Sequence, residues 1–403
     1  MRAGVPESEY RERVERVQAE AQRLDLDGIL AWSKGGGPVD AYADVFYLTG
    51  WYTPFPRIED QPPVWAGRAY GAVWVPARGD ATLIVDVPDY RSDLVAAADV
   101  RAGINVPATA AEVIKDTGAA RGRIGLSASE TMLLGSYNLL RDALPDVDLV
   151  AADSVIADLR MIKSDAEIKA LKRAADVGSE LVSEMLRTAQ RPGTTEAQAV
   201  AAAWRVGIEL GAAPWDAAVA SGPNSDYYAW QGLPSWSLRE LEPGDIFHVD
   251  TYGSVDGYLY DISRSCVCGE KASDDQREVL EGAIGCTSAM VDAVKPGVTA
   301  EQIFEVGSSF LQERDLAGGD DDDGDVRVAL VSSFPAHGHG IGTALESPWL
   351  RPGERTPLRE RMALAIECMA GRPGVGAAKF EQDVIVTADG CEMIVAAPAV
   401  WWS

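Results

Sequence analysis

The sequence is short of features on which several large classes of protein depend. Its 403 residues include five cysteines, an odd and scattered set with no CxxC pair of the zinc-module type. They are therefore interpreted as reduced thiols of a cytoplasmic protein rather than as a disulfide framework. No apolar run approaches the ~20 residues that span a membrane, and the charged start, residues 1–17, predicts a helix rather than a signal peptide.

Positive charge is scarce as well. The chain has 36 Lys and Arg against 62 Asp and Glu, a formal net charge of −26. Phosphate binding needs a basic surface, so nucleic acid and anionic membranes are excluded as expected partners. The GxSxG motif is absent, which argues against a nucleophilic-serine hydrolase. Histidine occurs three times, at His248, His337 and His339.

The length and a hydrophobic content of 47% are those of an ordinary globular protein with two domains. The first part alternates helical and strand-like patterns, which predicts a small α/β domain. Helices are expected at 7–24 and 130–144. Strands are expected in DGILAW, VFYLTGW, YGAVWV, ATLIVDV, RIGLS and VDLVAAD. The glycines of KGGGPVDAYAD (34–44) lack the context of a dinucleotide site and predict a loop.

The second part contains two helix pairs of the same layout. Helices are predicted at 164–190 and 195–211, separated by RPGTT, and at 274–293 and 299–315, separated by KPGVT. This recurrence predicts an internal duplication. The acidic segment AGGDDDDGDVR (317–327) lacks the spaced ligands of an EF-hand loop and is expected to be a solvated loop.

Five residues in the second half of the chain form a candidate site for metal ions. Carboxylates beside apolar strands are costly to bury without a partner, although an aspartate in a turn or a histidine in a glycine-rich loop is often only structural. Four carboxylates and one imidazole together suit Mn, Fe, Co or Zn. The set comprises Asp250 in the strand IFHVD, Asp261 after a turn-rich stretch, His339 in the GHGIG loop, Glu367 ending MALAIE and Glu381 opening EQDVIV.

The order and spacing of this set resemble the pita-bread metallopeptidases, which include Xaa-Pro peptidases, prolidase and creatinase. Ten residues separate Asp250 from Asp261, as in that family. The segments 242–265, 338–342 and 374–390 match its ligand-bearing strands. RMIKSDAEIKALKRAADV (160–177) and DVFYLTGW (44–51) match its upstream regions, so the resemblance covers nearly the whole chain.

The resemblance implies both a fold and a chemistry. It implies a creatinase-type α/β domain at 1–158 and a pita-bread α+β domain at 159–403, whose curved antiparallel sheet carries the two helix pairs. The five residues would hold two divalent ions that activate a water. Glu367 would shuttle a proton, the substrate would be a small molecule or short peptide, and the protein would be a homodimer.

Residues that handle peptide in the family are changed here. Where the family has a histidine after the segment matching 220–230, this chain has Tyr227, Tyr228, Ala229 and Trp230. A second family histidine, seven residues after the ligand histidine, is replaced by Glu346, a candidate contact for a cationic substrate group or a candidate base. Lys379 replaces an arginine, and Cys368 replaces a proline.

Several other side chains are candidates near the metals. His248 shares a strand face with Asp250, so it is expected either as a catalytic acid–base or as a hydrogen-bonded core histidine. His337 is a candidate at the pocket rim. Tyr228, Trp230, Trp236 and Trp349 could line a substrate pocket, although plain packing would also explain the tryptophans.

The function expected from these observations is a metal-dependent hydrolase acting on an amide or other C–N bond. Three alternatives stay open. The first is a true Xaa-Pro dipeptidase or aminopeptidase. The second is a lyase resembling the dimethylsulfoniopropionate-cleaving branch, with Glu346 as base. The third is a non-catalytic pita-bread binding module.

Overall fold

The computed structural model describes residues 4–34, 42–226, 232–317 and 336–402. The chain divides into two compact units, Met1–Arg160 and Met161–Ser403. None of the helices in the described part is long and apolar enough to cross a membrane.

The first unit is a six-stranded mixed sheet with helices, in the order β4-β3-β2-β1-β5-β6. Alternate side chains of its central strand enter different cores: Ile29 and Ala31 lie in one, Leu30 and Trp32 in the other. Both faces of the sheet are therefore covered. The elements are α1 (Glu7–Arg23), β1 (Gly28–Lys34), α2 (Ala43–Thr49), β2 (Tyr70–Pro76), β3 (Thr82–Val85), β4 (Asp99–Ala102), α3 (Val106–Asp116), β5 (Arg123–Ser127), α4 (Leu134–Ala143), β6 (Asp148–Ala151) and α5 (Asp153–Met161).

One strand expected in this unit is wrong. The segment VFYLTGW lies mostly in α2, and every residue of that helix is buried. A helix buried on all sides has no polar face, so it shows no helical period, and its β-branched and aromatic residues resemble a strand. Gly50 ends the helix in the left-handed conformation, with φ of 70°.

The second unit contains the duplicated helix pairs and eight strands in the described part of the chain. All four paired helices begin with the same capping box, in which Ser or Thr and a Glu or Gln three residues later bond reciprocally. The elements are α6 (Asp165–Ala189), α7 (Glu196–Glu209), β7 (Ala212–Ser221), β8 (Ile246–Val255), β9 (Tyr258–Val267), α8 (Asp274–Ala293), α9 (Ala300–Gln312), β10 (Gly338–Ile341), β11 (Leu345–Glu346), β12 (Ala363–Arg372), β13 (Gly376–Val386) and β14 (Cys391–Met393).

The strands of this unit form two hydrogen-bonded sheets, β7-β8-β9 and β11-β10-β12-β13-β14. Side chains rather than a backbone ladder join β9 to β13. Ser265 Oγ bonds both the carbonyl and the amide of Lys379, and Arg264 Nη1 donates to the carbonyl of Glu381 at 2.5 Å. The curved sheet therefore has a seam at this point.

Strand alternation separates the packing face from a polar face. Tyr260 and Ile262 of β9 meet α6 at Gly178. Phe380 and Val384 of β13 belong to the core that α8 and α9 also line. The residues between them on each strand point to the other side, which is where the acidic side chains lie.

Three details of the expected ligand segments change. His339 lies within strand β10 rather than in a loop, and Glu367 and Glu381 lie within β12 and β13 rather than at their ends. The stretch after Asp250 is not rich in turns, because β8 and β9 form one hairpin with only 256–257 between them. Residues 35–41 and 318–327, expected as loops, fall outside the described residues.

Candidate metal centre

The β8–β9 hairpin fixes the first two acidic residues. Asp256 and Gly257 at its tip have φ of 53° and 90°, the left-handed pair that a tight two-residue hairpin turn requires. The register places Asp250 opposite Ser263, two residues from Asp261. Asp250 and Asp261 are therefore diagonal neighbours on one face.

The other three residues come from neighbouring strands of the second sheet. Glu367 of β12 lies directly opposite Glu381 of β13. His339 of β10 pairs with Ala365 of β12. Gly338 allows the two backbones to approach this closely, because a Cβ at that position would lie 2.1 Å from the carbonyl oxygen of Ala365.

The five predicted ligands come together at the seam between the two sheets. Ligand atoms of Asp261, His339 and Glu381 lie within 4.8 Å of one another, and all three side chains are buried. Ser263 Oγ is 3.0 Å from both Asp250 Oδ1 and Glu381 Oε2. Candidate ligands far apart in sequence thus form one cluster.

His339 and Asp261 present acceptors to each other. His339 Nδ1 lies 3.0 Å from the carbonyl oxygen of Gly340 and donates to it, which leaves a lone pair on Nε2. Nε2 is 3.6 Å from Asp261 Oδ2. Burial lowers the pKa of His339, which favours the neutral ring. Asp261 Oδ1 is also buried without a hydrogen-bond partner. Facing acceptors of this kind fit a cation between them.

The electrostatics of the cluster agree with that geometry. Burial, followed by the neighbouring carboxylates, raises the pKa of Asp261 and of Glu381 well above the usual values. Burial also raises the pKa of Asp383 to about 8. The protein does not fully compensate the negative charge of these carboxylates. A bound divalent ion would do so and would lower their pKa values. The donor set therefore fits a hard or borderline divalent metal.

Lys379 is a member of the cluster that sequence analysis noted only as a replacement. Its Nζ lies 2.5 Å from Asp250 Oδ2 and 2.6 Å from Glu367 Oε2, and its side chain is buried. Strand alternation places it on the same face as Glu381, two residues away, and that signal could have revealed it. Ser263 stands in the same relation to Asp261.

Two histidines expected near the metals make contacts of their own. His248 Nε2 bonds the carbonyl oxygen of Ser225 at 2.9 Å. His337 stacks on Phe304 with ring centroids 5.0 Å apart, and its Nε2 lies 3.2 Å from Ser308 Oγ. Burial lowers the pKa of His337, and the charge of nearby Glu367 opposes this. These contacts support structural roles for both rings.

The remaining substrate candidates divide into two groups. Tyr228 and Trp230 lie outside the described residues. The Trp349 ring is 5.0 Å from the ring of His339, so it borders the cluster. Glu346 is buried and forms an ion pair with Lys163, which is also buried. Lys163 lies 183 positions away in sequence, and no local pattern pointed to this pair.

Two family models match this chain, and each covers most of one of its two units. The model of metallopeptidase family M24 matches residues 169–388. The chain belongs to metallopeptidase family M24. The creatinase/prolidase N-terminal domain model matches residues 13–162. The predicted resemblance and the predicted pita-bread fold are both confirmed.

The M24 chain is similar to several named relatives. It is 27% identical over 248 residues to Xaa-Pro dipeptidase of Pyrococcus furiosus, and the match covers 60% of this chain and 65% of the relative. It is 34% identical over 260 residues to a Mycobacterium tuberculosis protein named probable dipeptidase PepE, covering 62% of each. The matches thus span less than two thirds of these relatives. The crystal structure of dipeptidase PepE from Mycobacterium ulcerans superimposes with a TM-score of 0.76 at 26% identity, covering 98% of both chains.

Proposed function

We propose that this M24 protein is a metal-dependent hydrolase that cleaves an amide or other C–N bond in a small amino-acid-derived substrate. The observation that carries the proposal is the geometry of the buried His339, whose Nε2 faces Asp261 Oδ2 at 3.6 Å. A divalent ion between these two groups would satisfy both of them and the adjacent buried Glu381.

The residues divide the work. Asp261, His339 and Glu381 would hold a divalent ion such as Mn, Fe, Co or Zn, and Asp250 and Glu367 adjoin them. A bound ion would lower the pKa of a coordinated water, so that the water would be deprotonated and nucleophilic at neutral pH. Glu367 keeps 14% of its side chain exposed, compared with 7% for Asp250 and 6% for Asp261. It is therefore the carboxylate best placed to accept a proton and pass it to a leaving group.

The residues at the positions that handle peptide in the family favour a compound other than an ordinary Xaa-Pro peptide. Glu346 replaces a histidine expected from the resemblance, and its ion pair with Lys163 keeps it an acceptor. A carboxylate cannot donate to an oxyanion. The lyase alternative needs Glu346 as its base, and in the structure Glu346 contacts Lys163, a residue outside the ligand cluster. The binding-module alternative gives no reason to bury four clustered carboxylates.

A true Xaa-Pro dipeptidase is the second candidate. The name of the Pyrococcus furiosus relative supports it, at 27% identity over 60% of this chain. The two missing histidines weigh against it, because one transition-state donor contributes about 10²–10³ in rate.

A substrate panel separates the two candidates. The purified full chain, dialysed against Mn²⁺, would be assayed on Gly-Pro and Ala-Pro, N-acyl amino acids, ectoine and creatine analogues, and sulfonium or betaine compounds. We expect kcat/KM for the Xaa-Pro dipeptides to lie at least ~10²-fold below that of another class. Glu367→Gln should abolish turnover of every substrate. Efficient cleavage of Ala-Pro would restore the dipeptidase, and absence of any Glu367-dependent turnover across the panel would overturn the hydrolase.

A further inference from the structure

Lys379 places a positive charge inside the acidic cluster. The lysine lies on β13, and Ser265 Oγ holds its backbone on both sides: the hydroxyl oxygen accepts from the amide at 2.9 Å and bonds the carbonyl oxygen at 3.0 Å. Its side chain is 2% exposed. The strand therefore sets the face on which the side chain lies, and the contacts with Asp250 and Glu367 set the position of the ammonium.

That position divides the five candidate ligands into two sets. The ammonium lies between Asp250 Oδ2 and Glu367 Oε2, at 2.5 and 2.6 Å. The other three residues, Asp261, His339 and Glu381, are those whose ligand atoms already lie within 4.8 Å of one another. One set has a cationic partner from the chain, and the other set has the facing acceptors.

A second divalent ion would compete with the Lys379 ammonium for the carboxylates of Asp250 and Glu367. A divalent ion bound by Asp250 or Glu367 would lie about 2.0–2.2 Å from one of their carboxylate oxygens, beside the ammonium that contacts Asp250 Oδ2 and Glu367 Oε2. Two-metal sites place their ions ~3.5–4 Å apart and share carboxylates between them. An ammonium at this position takes up one oxygen of each of the two carboxylates and repels a second cation.

We propose that this centre binds one divalent ion, at Asp261, His339 and Glu381, and that the Lys379 ammonium replaces a second ion between Asp250 and Glu367. The inference rests on the metal centre of the proposed function. It replaces the two-ion centre expected from the family resemblance. Lys379 then has two roles: it limits the number of ions bound, and it positions Glu367.

Metal stoichiometry tests the inference without an activity assay. The full chain would be dialysed to equilibrium against Mn²⁺ and analysed by plasma mass spectrometry, with electron paramagnetic resonance of the bound Mn²⁺. We expect one ion per chain and the spectrum of an isolated ion. Lys379→Met should double the content to two ions and produce a spin-coupled pair. Lys163→Met, which removes the other buried lysine paired with a glutamate, should leave the content at one.

Each outcome bears on one statement. Two ions in the unaltered protein would overturn the inference while leaving the metal centre in place. No bound ion would overturn the centre itself and with it the proposed function. One ion in both the unaltered protein and Lys379→Met would show that Lys379 does not limit binding. Lys379→Gln provides the same comparison if the methionine variant does not fold, and the stoichiometry of the unaltered protein needs no variant.

Discussion

At the scale of single residues, two buried lysines of the second unit form ion pairs with carboxylates. Lys379 contacts Asp250 and Glu367, and Lys163 contacts Glu346, with each lysine side chain 2% exposed. An isolated charge inside a protein is costly, and a pair retains most of that cost unless its geometry is good. Removal of one partner is therefore far more damaging than loss of the same contact at the surface.

Glu346→Gln should destabilise the protein for this reason. It would leave the buried Lys163 ammonium with one carboxylate fewer, at a cost of about 3–5 kcal/mol in the free energy of unfolding. Urea unfolding followed by circular dichroism measures the change. The control is Glu392→Gln, because Glu392 pairs with Lys172 at 2.7 Å while 51% of its side chain is exposed. That variant should change stability by less than ~1 kcal/mol. Equal midpoints for the two variants would show that the buried pair has no special weight.

The sequence predicts the candidate metal ligands of the site better than it predicts the contacts of the buried lysines. Asp250, Asp261, His339, Glu367 and Glu381 follow from order and spacing, because a ligand set must converge and strands repeat every two residues. The pairing of Lys163 with Glu346 did not follow from the sequence, since it joins the start of a helix to a distant strand. The resemblance predicts that Glu346 contacts substrate, and this stays a prediction; the structure shows Glu346 bonded to Lys163.

At the scale of elements, close backbone packing around β10 positions the imidazole. β10 lies between β11 and β12, and Gly338 and Gly340 flank His339. A Cβ on Gly338 would lie 2.1 Å from the carbonyl oxygen of Ala365. No side chain fits there, and Gly338 also has φ of 132°. The glycines of GHGIG therefore serve strand packing rather than loop flexibility.

Gly340→Ala should displace β10 from its neighbours. The added methyl would meet a backbone oxygen 2.4 Å away, which cannot turn aside as a side chain could. We expect a loss of about 1–3 kcal/mol in the free energy of unfolding and weaker Mn²⁺ binding. Gly135→Ala is the control, because a methyl added at Gly135 in α4 would meet no atom within 4 Å beyond its own helix backbone and chain neighbours. That variant should be neutral or slightly stabilising. A fully stable Gly340→Ala with native metal affinity would contradict the packing argument.

Amphipathic elements were predictable, and fully buried elements were not. The four capped helices of the second unit carry start signals and polar faces, so their predicted positions are confirmed within a few residues. Helix α2 has neither a polar face nor a side-chain cap, and its sequence resembles a strand. The seam between β9 and β13 depends on Ser265 and Arg264 reaching another strand, which a local pattern does not show.

At the scale of the whole molecule, two family models account for the two units separately. The creatinase/prolidase model matches 13–162 and the M24 model matches 169–388. The chemistry described above lies in the second unit. The homodimer and the cytoplasmic location implied by the resemblance and the cysteine content stay predictions. Sedimentation of the 43.0 kDa chain would test the first of them.

The central claim is that the buried acidic cluster is a metal centre, and metal binding by paired histidine variants tests it most directly. His339→Ala removes the ring whose Nε2 faces Asp261. His337, two residues before His339, is bonded to Ser308, and His337→Ala is the matched control. Isothermal titration of the unaltered protein and of His337→Ala with Mn²⁺ should show stoichiometric binding. His339→Ala should bind at least ~10²-fold more weakly while keeping its native circular dichroism. Equal binding by all three proteins, or no binding by the unaltered chain, would contradict the account.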